Sequence, residues 1–526
     1  MKMSIKNAPS KGLLPSIALS LMTVISAVSA LNIALPDVAK NTGATQTQLT
    51  WIVDAYTVVF AGLLLLSGAV ADKYGRKTLL QAGLLIYLGA NIFGTLAGPE
   101  MSPETLIAIR IITGVGASMI MPSTLSVITT SFEKEERAKA VGVWVAVAGG
   151  GAVVGLFGTA VLMIWFDWTS FFWLNMFLAA VGFLGVSVNV RNSKSQDQHP
   201  LDIFGGLLSI GGVSGLVFGI IEGPERGWDD IVTINALAIG SALLVAFVLW
   251  ELKSKHPLLD PRFFKIRAFS AGSISITVQF LVQFGFIFVG MQYLQFVGGF
   301  EPWQAALHLI PLPFVMLPGT RIVGHLSKRH PQRLLGSIGM TAFAIAMFMF
   351  STLGATFNLW LFEGALVLMA TGIAFAATPA TTAITSSLPE AKQGVASAVN
   401  DVAREFGSAI GIATLGAALT SAYKSNMITY ADSVTFPPQI PADKVDEFSN
   451  FISDSPAVMS IDINDLPSAL QPAKPFLETI WNALQNAATS AFSLGSGDAL
   501  RLAGLIALGG AIFIAVVAPK KSSEAI

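Results

Sequence analysis

Residues 68–77 read GAVADKYGRK, a short charged stretch between one apolar run that ends near Val70 and another that begins near Thr78. Charged and unpaired polar groups cost several kcal/mol each in hydrocarbon, so a segment this short reads as a tight turn at a membrane surface joining two spans. Its three cations, Lys73, Arg76 and Lys77, place that surface on the cytoplasmic side by the positive-inside bias. The orientation of every other segment follows from this turn.

Working outward, the 526 residues are 53% hydrophobic and only 12% charged, about half the charged share of a soluble protein. The expected class is therefore an all-α integral membrane protein. A net charge of -1 without a basic stripe argues against nucleic acid as a partner. Cysteine is absent and the five histidines are scattered, which leaves no pair at metal-ligand spacing. No GxxxxGK[ST] loop is present to cradle a phosphate. The chain thus reads as neither an enzyme nor a cofactor protein, and any work it does must draw on an ion gradient or a partner. The opening MKMSIKNAPSK and the apolar run after it imitate a signal peptide, with Val28-Ser29-Ala30 as the mimic of a cleavage site. That run continues through Leu31 to Pro36 and reaches spanning length, so it reads as the first span.

Fourteen apolar runs follow, centred near residues 25, 60, 88, 114, 152, 179, 211, 241, 280, 314, 343, 371, 407 and 508. An even count puts both termini on the cytoplasmic side. The remaining connections agree: EKEERAK (133–139), RNSK (191–194), 251–267 and SKRHPQR (327–333) are basic or mixed, whereas GPEMSPE and GFEPWQ are acidic or neutral. GHLSKRHPQR at Gly324 repeats the 68–77 turn in decayed form, which predicts duplicated halves with a substrate site between them. The seventh and eighth runs, about 201–251, are left over. The expected division is a six-helix unit over 1–195, two inserted helices over 196–256, and a second six-helix unit over 257–526. Residues 421–497, rich in proline and acid, form an external stretch that reads equally as a cap over the mouth or as a tether.

Ionisable residues inside spans are the functional candidates. Asp54 on the second span and Arg110 on the fourth lie at similar depth, and a buried ion pair is the simplest way to keep both charges. Asp401 and Glu405 on the thirteenth span share a face at i, i+4, with Arg404 between them and Asn400 alongside. Two carboxylates so close do not ionise together easily, which suits a proton relay, but the same residues could instead sit wet at the helix N-terminus and complement its dipole. Asp54, if held ionised by Arg110, is a poorer carrier than that pair, and Glu363 lies too near an outer end to count. Glycines at fourth positions, Gly151 with Gly155 and Gly407 with Gly411, let helices approach closely. On the ninth span, Gln279, Gln283, Phe280 and Phe284 could line a cavity for a flat apolar ligand, or the aromatics could face lipid.

Together, the fourteen runs, WIVDAYTVVFAG leading into the turn through Gly68, Asp72, Gly75, Arg76 and Lys77, IRIITGVGA and SAVNDVAREFG resemble the fourteen-helix drug:proton antiporters of the major facilitator superfamily. The resemblance implies two six-helix bundles plus two inserted helices in a cytoplasmic membrane, a conformational-switch loop at 68–77, and export of hydrophobic, often cationic, small molecules in exchange for protons. It further implies Asp54, Asp401 and Glu405 as proton-coupling acids, Arg110 as the fourth-helix arginine, a monomer among membrane lipids, and no cofactor beyond the proton gradient. Three positions depart from that pattern: Ala27 stands where the first helix usually carries an acid, Leu156 follows Gly155 in place of proline, and Thr169 follows Trp168 in place of arginine. A flippase for lipid or cell-envelope precursors, loading from the membrane, would need fewer buried acids, and a non-transporting scaffold or sensor on a degenerate transporter fold is a third reading.

Overall fold

The computed structural model describes residues 10–132, 134–194, 201–327, 329–388, 393–434, 442–465 and 474–520. Parts of the charged connections at 133–139, 327–333 and 388–394, the boundary near residue 196, and parts of the 421–497 stretch lie outside these. Among the described residues the chain is all-helical. The first eight helices are α1 (Leu13–Thr42), α2 (Gln46–Tyr74), α3 (Arg76–Ala97), α4 (Pro103–Ser131), α5 (Lys134–Leu162), α6 (Ser170–Asn189), α7 (Ile203–Arg226) and α8 (Ile231–Glu251). After them come α9 (Arg267–Gln292), α10 (Pro302–Leu307), α11 (Pro311–Leu326), α12 (Gln332–Phe350), α13 (Leu359–Ser386), α14 (Gln393–Ser433), α15 (Ala442–Asp454) and α16 (Lys474–Val517). Thirteen spans among the described residues are long and apolar enough to cross a membrane, counting α10 and α11 as one, and α5 carries a shorter apolar segment, Gly151–Leu162.

The turn between α2 and α3 is tighter than its ten-residue motif suggests. Helix runs to Tyr74 and resumes at Arg76, leaving Gly75 alone between them at φ 125°. A side chain there would be strained and would also meet Asn192 Oδ1 at 2.6 Å. The charges then work locally: Arg76 Nη2 donates to Asp72 Oδ1 at 2.7 Å, and Lys77 Nζ donates to the Ser187 carbonyl at 2.8 Å, tying the turn to the end of α6.

Six helices, α1 to α6, pack among themselves, and α9 to α16 repeat the arrangement. As α1 packs on α4, α5 and α6, so α9 packs on α13, α14 and α16; as α3 packs on α4 and α6, so α12 packs on α13 and α16. The glycines keep the same register. Gly83 and Gly116 pack face to face between α3 and α4, and Gly339 and Gly372, each 256 residues further on, do the same between α12 and α13. Gly151 and Gly155 bring α5 onto α1 at Ile25 and Ser26, while Gly407 and Gly411, again 256 residues on, bring α14 onto α9 at the carbonyls of Thr277 and Leu281. The decayed turn at Gly324 follows Gly68 by that spacing too. The inserted pair α7 and α8 pack on each other, and α7 also lies along α2 and α14.

Among the described residues, the apolar core common to the two bundles lies at one end. Where α1 ends and α2 begins, here the cap end, a single apolar core includes Leu35 and Ile52 of the first bundle with Val289 and Leu419 of the second. Toward the 68–77 turn each bundle has its own core, around Leu21, Tyr87 and Ile120 in one and around Ile276, Ile384 and Val399 in the other. Residues 421–497 are structured where described: α14 and α16 run on as long helices, α15 packs on α14, and the 3-10 turn Pro456–Met459 packs on both α16 and α1. Tyr423 anchors this cap by donating to the carbonyls of Ile452 at 3.1 Å and Ser455 at 3.2 Å. The described segments of this stretch are thus packed on α1, α14 and α16.

A β-carbon on Gly411 would overlap the Leu281 carbonyl oxygen, whereas Gly364 has nothing within 4 Å. Gly411→Val should therefore lower stability by about 1–3 kcal/mol or more, read as a fall in thermal midpoint in detergent, with Gly364→Ala as the unchanged control.

Candidate functional site

The candidate residues gather where the common core divides into two. On α14, Asp401 and Glu405 are 8% and 7% exposed, two and three turns inside the helix that starts at Gln393. They are therefore not wet groups capping the helix dipole. Asn400, also buried, lies next to Asp401 and accepts from Thr381 Oγ1 at 3.4 Å. Arg404 lies over the Phe280 ring at 5.3 Å rather than clasping a carboxylate, and its Nε is buried without a partner. Val402, between the acids, packs against the core of the first bundle, so this face of α14 spans the fork.

Across from it on α9, Phe280 and Phe284 stack at 5.7 Å and, with Gln283, are half-buried. Gln279 does not join them. It is 1% exposed with its Oε1 unpartnered, because the α9 surface that carries it turns into the protein. The amide-and-aromatic surface therefore reduces to Phe280, Gln283 and Phe284.

In the first bundle, the expected Asp54–Arg110 ion pair is absent. Arg110, 1% exposed, donates through Nε to the Ile52 carbonyl at 3.0 Å and through Nη2 to the Val53 carbonyl at 3.5 Å. Its guanidinium lies 4.4 Å from the Tyr56 ring centroid and 5.8 Å from that of Phe171. Asp54 shares depth with Arg110 but not direction. At helical spacing it falls on the side of α2 that carries Trp51 and Val58, which pack against α7 and α14. Both of its oxygens are buried with no hydrogen-bond partner.

Sequence reasoning missed the shell around Arg110. Tyr56 donates to the Val24 carbonyl at 2.9 Å, and Tyr87 reaches Asn175 Oδ1 at 2.8 Å, where Ser26 also donates at 3.0 Å. The available signal was a tyrosine two residues after Asp54 and another in the middle of the third span. It also missed Glu222 on α7, which accepts from Trp51 Nε1 at 2.7 Å and pairs with Arg226 at 2.7 Å, fastening the inserted helix to α2.

This arrangement of duplicated bundles around a polar fork can be set beside known proteins. The family model of the Major Facilitator Superfamily matches residues 17–412. This chain belongs to the Major Facilitator Superfamily. It is accordingly a multi-pass membrane transporter and not an enzyme. Among its relatives, the puromycin resistance protein pur8 of Streptomyces alboniger is 31% identical over 428 residues, covering 80% of this chain and 84% of that protein. The methyl viologen resistance protein SmvA of Salmonella typhimurium is 30% identical, covering 76% and 80%. The multidrug efflux pump LfrA of Mycolicibacterium smegmatis is 27% identical, covering 95% and 94%. The fold is shared with an inward-facing, unoccupied bacterial homologue of the human lysosomal transporter Spinster, at TM-score 0.62 and 16% identity over 96% of each chain.

Because Arg110 is held by main chain and rings, Arg110→Ala should remove charge-assisted hydrogen bonds worth about 1.5–3 kcal/mol each and fold poorly. A double-mutant cycle with Asp54→Asn should give a coupling energy below about 0.5 kcal/mol, whereas a true pair would give several times that.

Proposed function

We propose that this transporter exports hydrophobic small molecules, cationic ones included, across the cytoplasmic membrane in exchange for protons, by rocking its two bundles about the fork. The observation that carries this reading is the set of three buried carboxylates at the contact between bundles: Asp54 has neither a cation nor a hydrogen-bond partner, and Asp401 and Glu405 have the single charge of Arg404 between them. An uncompensated charge buried in this way costs about 3–5 kcal/mol. Each carboxylate is therefore stable between closed bundles when it carries a proton, and ionises when its surroundings open to water or to a cationic ligand. Proton and cation then compete for one negative site, which is the linkage that antiport requires. Asp54 becomes a carrier on the same footing as the α14 pair, since no arginine holds it ionised.

The stacked Phe280 and Phe284, with Gln283 and Asn400, supply the flat apolar surface and amides that would orient a ligand beside those acids. No cofactor beyond the proton gradient is required, and one chain in the lipid bilayer suffices. The resistance and efflux names of the relatives, puromycin and methyl viologen among them, support drug-like cargo. The basic 72–77 turn supports cytoplasmic termini, with the joined cap end outside and this conformation divided toward the cytoplasm.

In proteoliposomes, Asp401→Asn with Glu405→Gln should abolish pH-gradient-driven export of a hydrophobic cation while leaving counterflow, which moves no net proton. Gradient-driven export at the parent rate would move the proton site to Asp54 alone, and flux of fluorescent lipid in place of cation would mark a flippase. Orientation is checked in intact cells, where an impermeant maleimide should label Asn450→Cys and not Tyr74→Cys. The reverse pattern would invert the topology.

A further inference from the structure

Outside the fork, one titratable pair lies at a break in a span. Pro311 and Pro313 interrupt the tenth span, and the chain between α10 and α11 tightens into three-residue hydrogen bonds, with Leu309 N to Ala306 O at 2.9 Å and Ile310 N to Leu307 O at 3.0 Å. The pieces on either side have different partners. α10 packs on α5 and α1 of the first bundle, whereas α11 packs on α13 of the second. α10 is thus the part of its span that meets the first bundle at the cap end, and residues 308–310 are its joint.

His308 occupies that joint. Its Nδ1 lies 2.8 Å from Glu363 Oε1, in the first turns of α13, and its ring is walled by Phe300 at 4.6 Å, Phe357 at 5.3 Å and Phe362 at 6.2 Å. The other oxygen of Glu363 is buried with no partner, so the counter-charge for this carboxylate comes from His308. The titratable groups on the packed elements are few among the described residues. They are Glu301, which caps α10, Asp37 and Lys40 on α1, Tyr293, whose hydroxyl donates to the Gly354 carbonyl at 2.7 Å, and, toward the far end of α11, the exposed Arg321 and His325. Residues 151–162 of α5 carry none. Glu363, set aside in the sequence as too near an outer end, therefore sits in a built site.

We propose that His308 and Glu363 form a proton-dependent pin that fixes α10 in its closed position at the cap end. Histidine is the side chain whose charge ordinarily changes between about pH 5 and 8. With imidazolium facing carboxylate, the charge-assisted bond anchors the joint to α13 and keeps α10 against the first bundle. With neutral imidazole the bond loses the attraction between opposite charges and the carboxylate lacks a counter-ion, so the joint loosens and α10 can swing away. Protons on the cap side would then favour closure, separately from the acids at the fork. The reading adds a gate to the proposed exporter and needs no proton to cross the membrane through His308.

Because the chain lacks cysteine, spin labels can be placed at the exposed Asn41→Cys on α1 and Trp303→Cys on α10, and their separation read by pulsed electron resonance. The parent should populate a longer distance several-fold more at pH 8 than at pH 5.5. His308→Gln and Glu363→Gln should each remove that pH dependence, and His308→Lys, permanently charged, should retain the short distance at pH 8. The shift should persist with Asp401→Asn and Glu405→Gln, so failure of the coupling reading and failure of the pin are separable. A parent distance independent of pH, a His308→Gln protein that shifts like the parent, or a shift lost only with the α14 acids would each overturn the pin.

Discussion

Negative charge buried between helices, away from water and incompletely neutralised, is the constraint around which this molecule is arranged. Asp54, Asp401 and Glu405 all occupy the contact between bundles; Asp54 has no cation beside it, and Asp401 and Glu405 share the one charge of Arg404. Arg110 is spent on the carbonyls of Ile52 and Val53 and on the Tyr56 ring, and Arg404 lies over Phe280. Neutralising the acids permanently would make a more stable protein and, on the proposed antiport reading, a worse exchanger. Leaving them to take up a proton or a ligand makes the closed contact conditional, and a conditional contact between two rigid bodies is what alternating access uses.

Rigidity of the two bodies comes from the duplication. Glycine pairs 256 residues apart bring α3 onto α4 and α12 onto α13, and α5 onto α1 and α14 onto α9, so close that a β-carbon would overlap backbone. Such packing resists sliding within a bundle and directs motion to the contact between bundles. There, the inserted α7 lies along both α2 and α14 on one side, with Val217 and Ile221 packed beside Val58 and Ala413. On another side α5 meets α10, and above them the Pro456–Met459 turn rests on α1.

Much of this was legible in the sequence because it is written locally. Fourteen apolar runs, the Gly75 turn with its cations, the repeat at Gly324, the leftover pair at 201–251 and the glycine spacings each need only a window of residues to be read. What was not legible is direction around a helix axis. Depth placed Asp54 beside Arg110, but one residue turns a helix by about 100°, and that rotation sends Asp54 toward α7 and α14 while Arg110 meets the other side of α2. Burial was hidden too: Gln279 is enclosed in the protein, while Gln283, one turn further on, stays half-buried beside Phe280 and Phe284. Contacts made late in the fold were equally hidden: His308 meets Glu363 across 55 residues, and nothing near either residue announces the other.

The central claim, that ligand and proton compete for the acids at the fork, is tested most directly by counting protons released when ligand binds. In lightly buffered detergent solution with a pH-indicating dye, saturating tetraphenylphosphonium should release about one proton or more per parent protein, and none from a variant carrying Asp54→Asn, Asp401→Asn and Glu405→Gln together. Undiminished proton release from that triple variant, with ligand binding intact, would contradict the account.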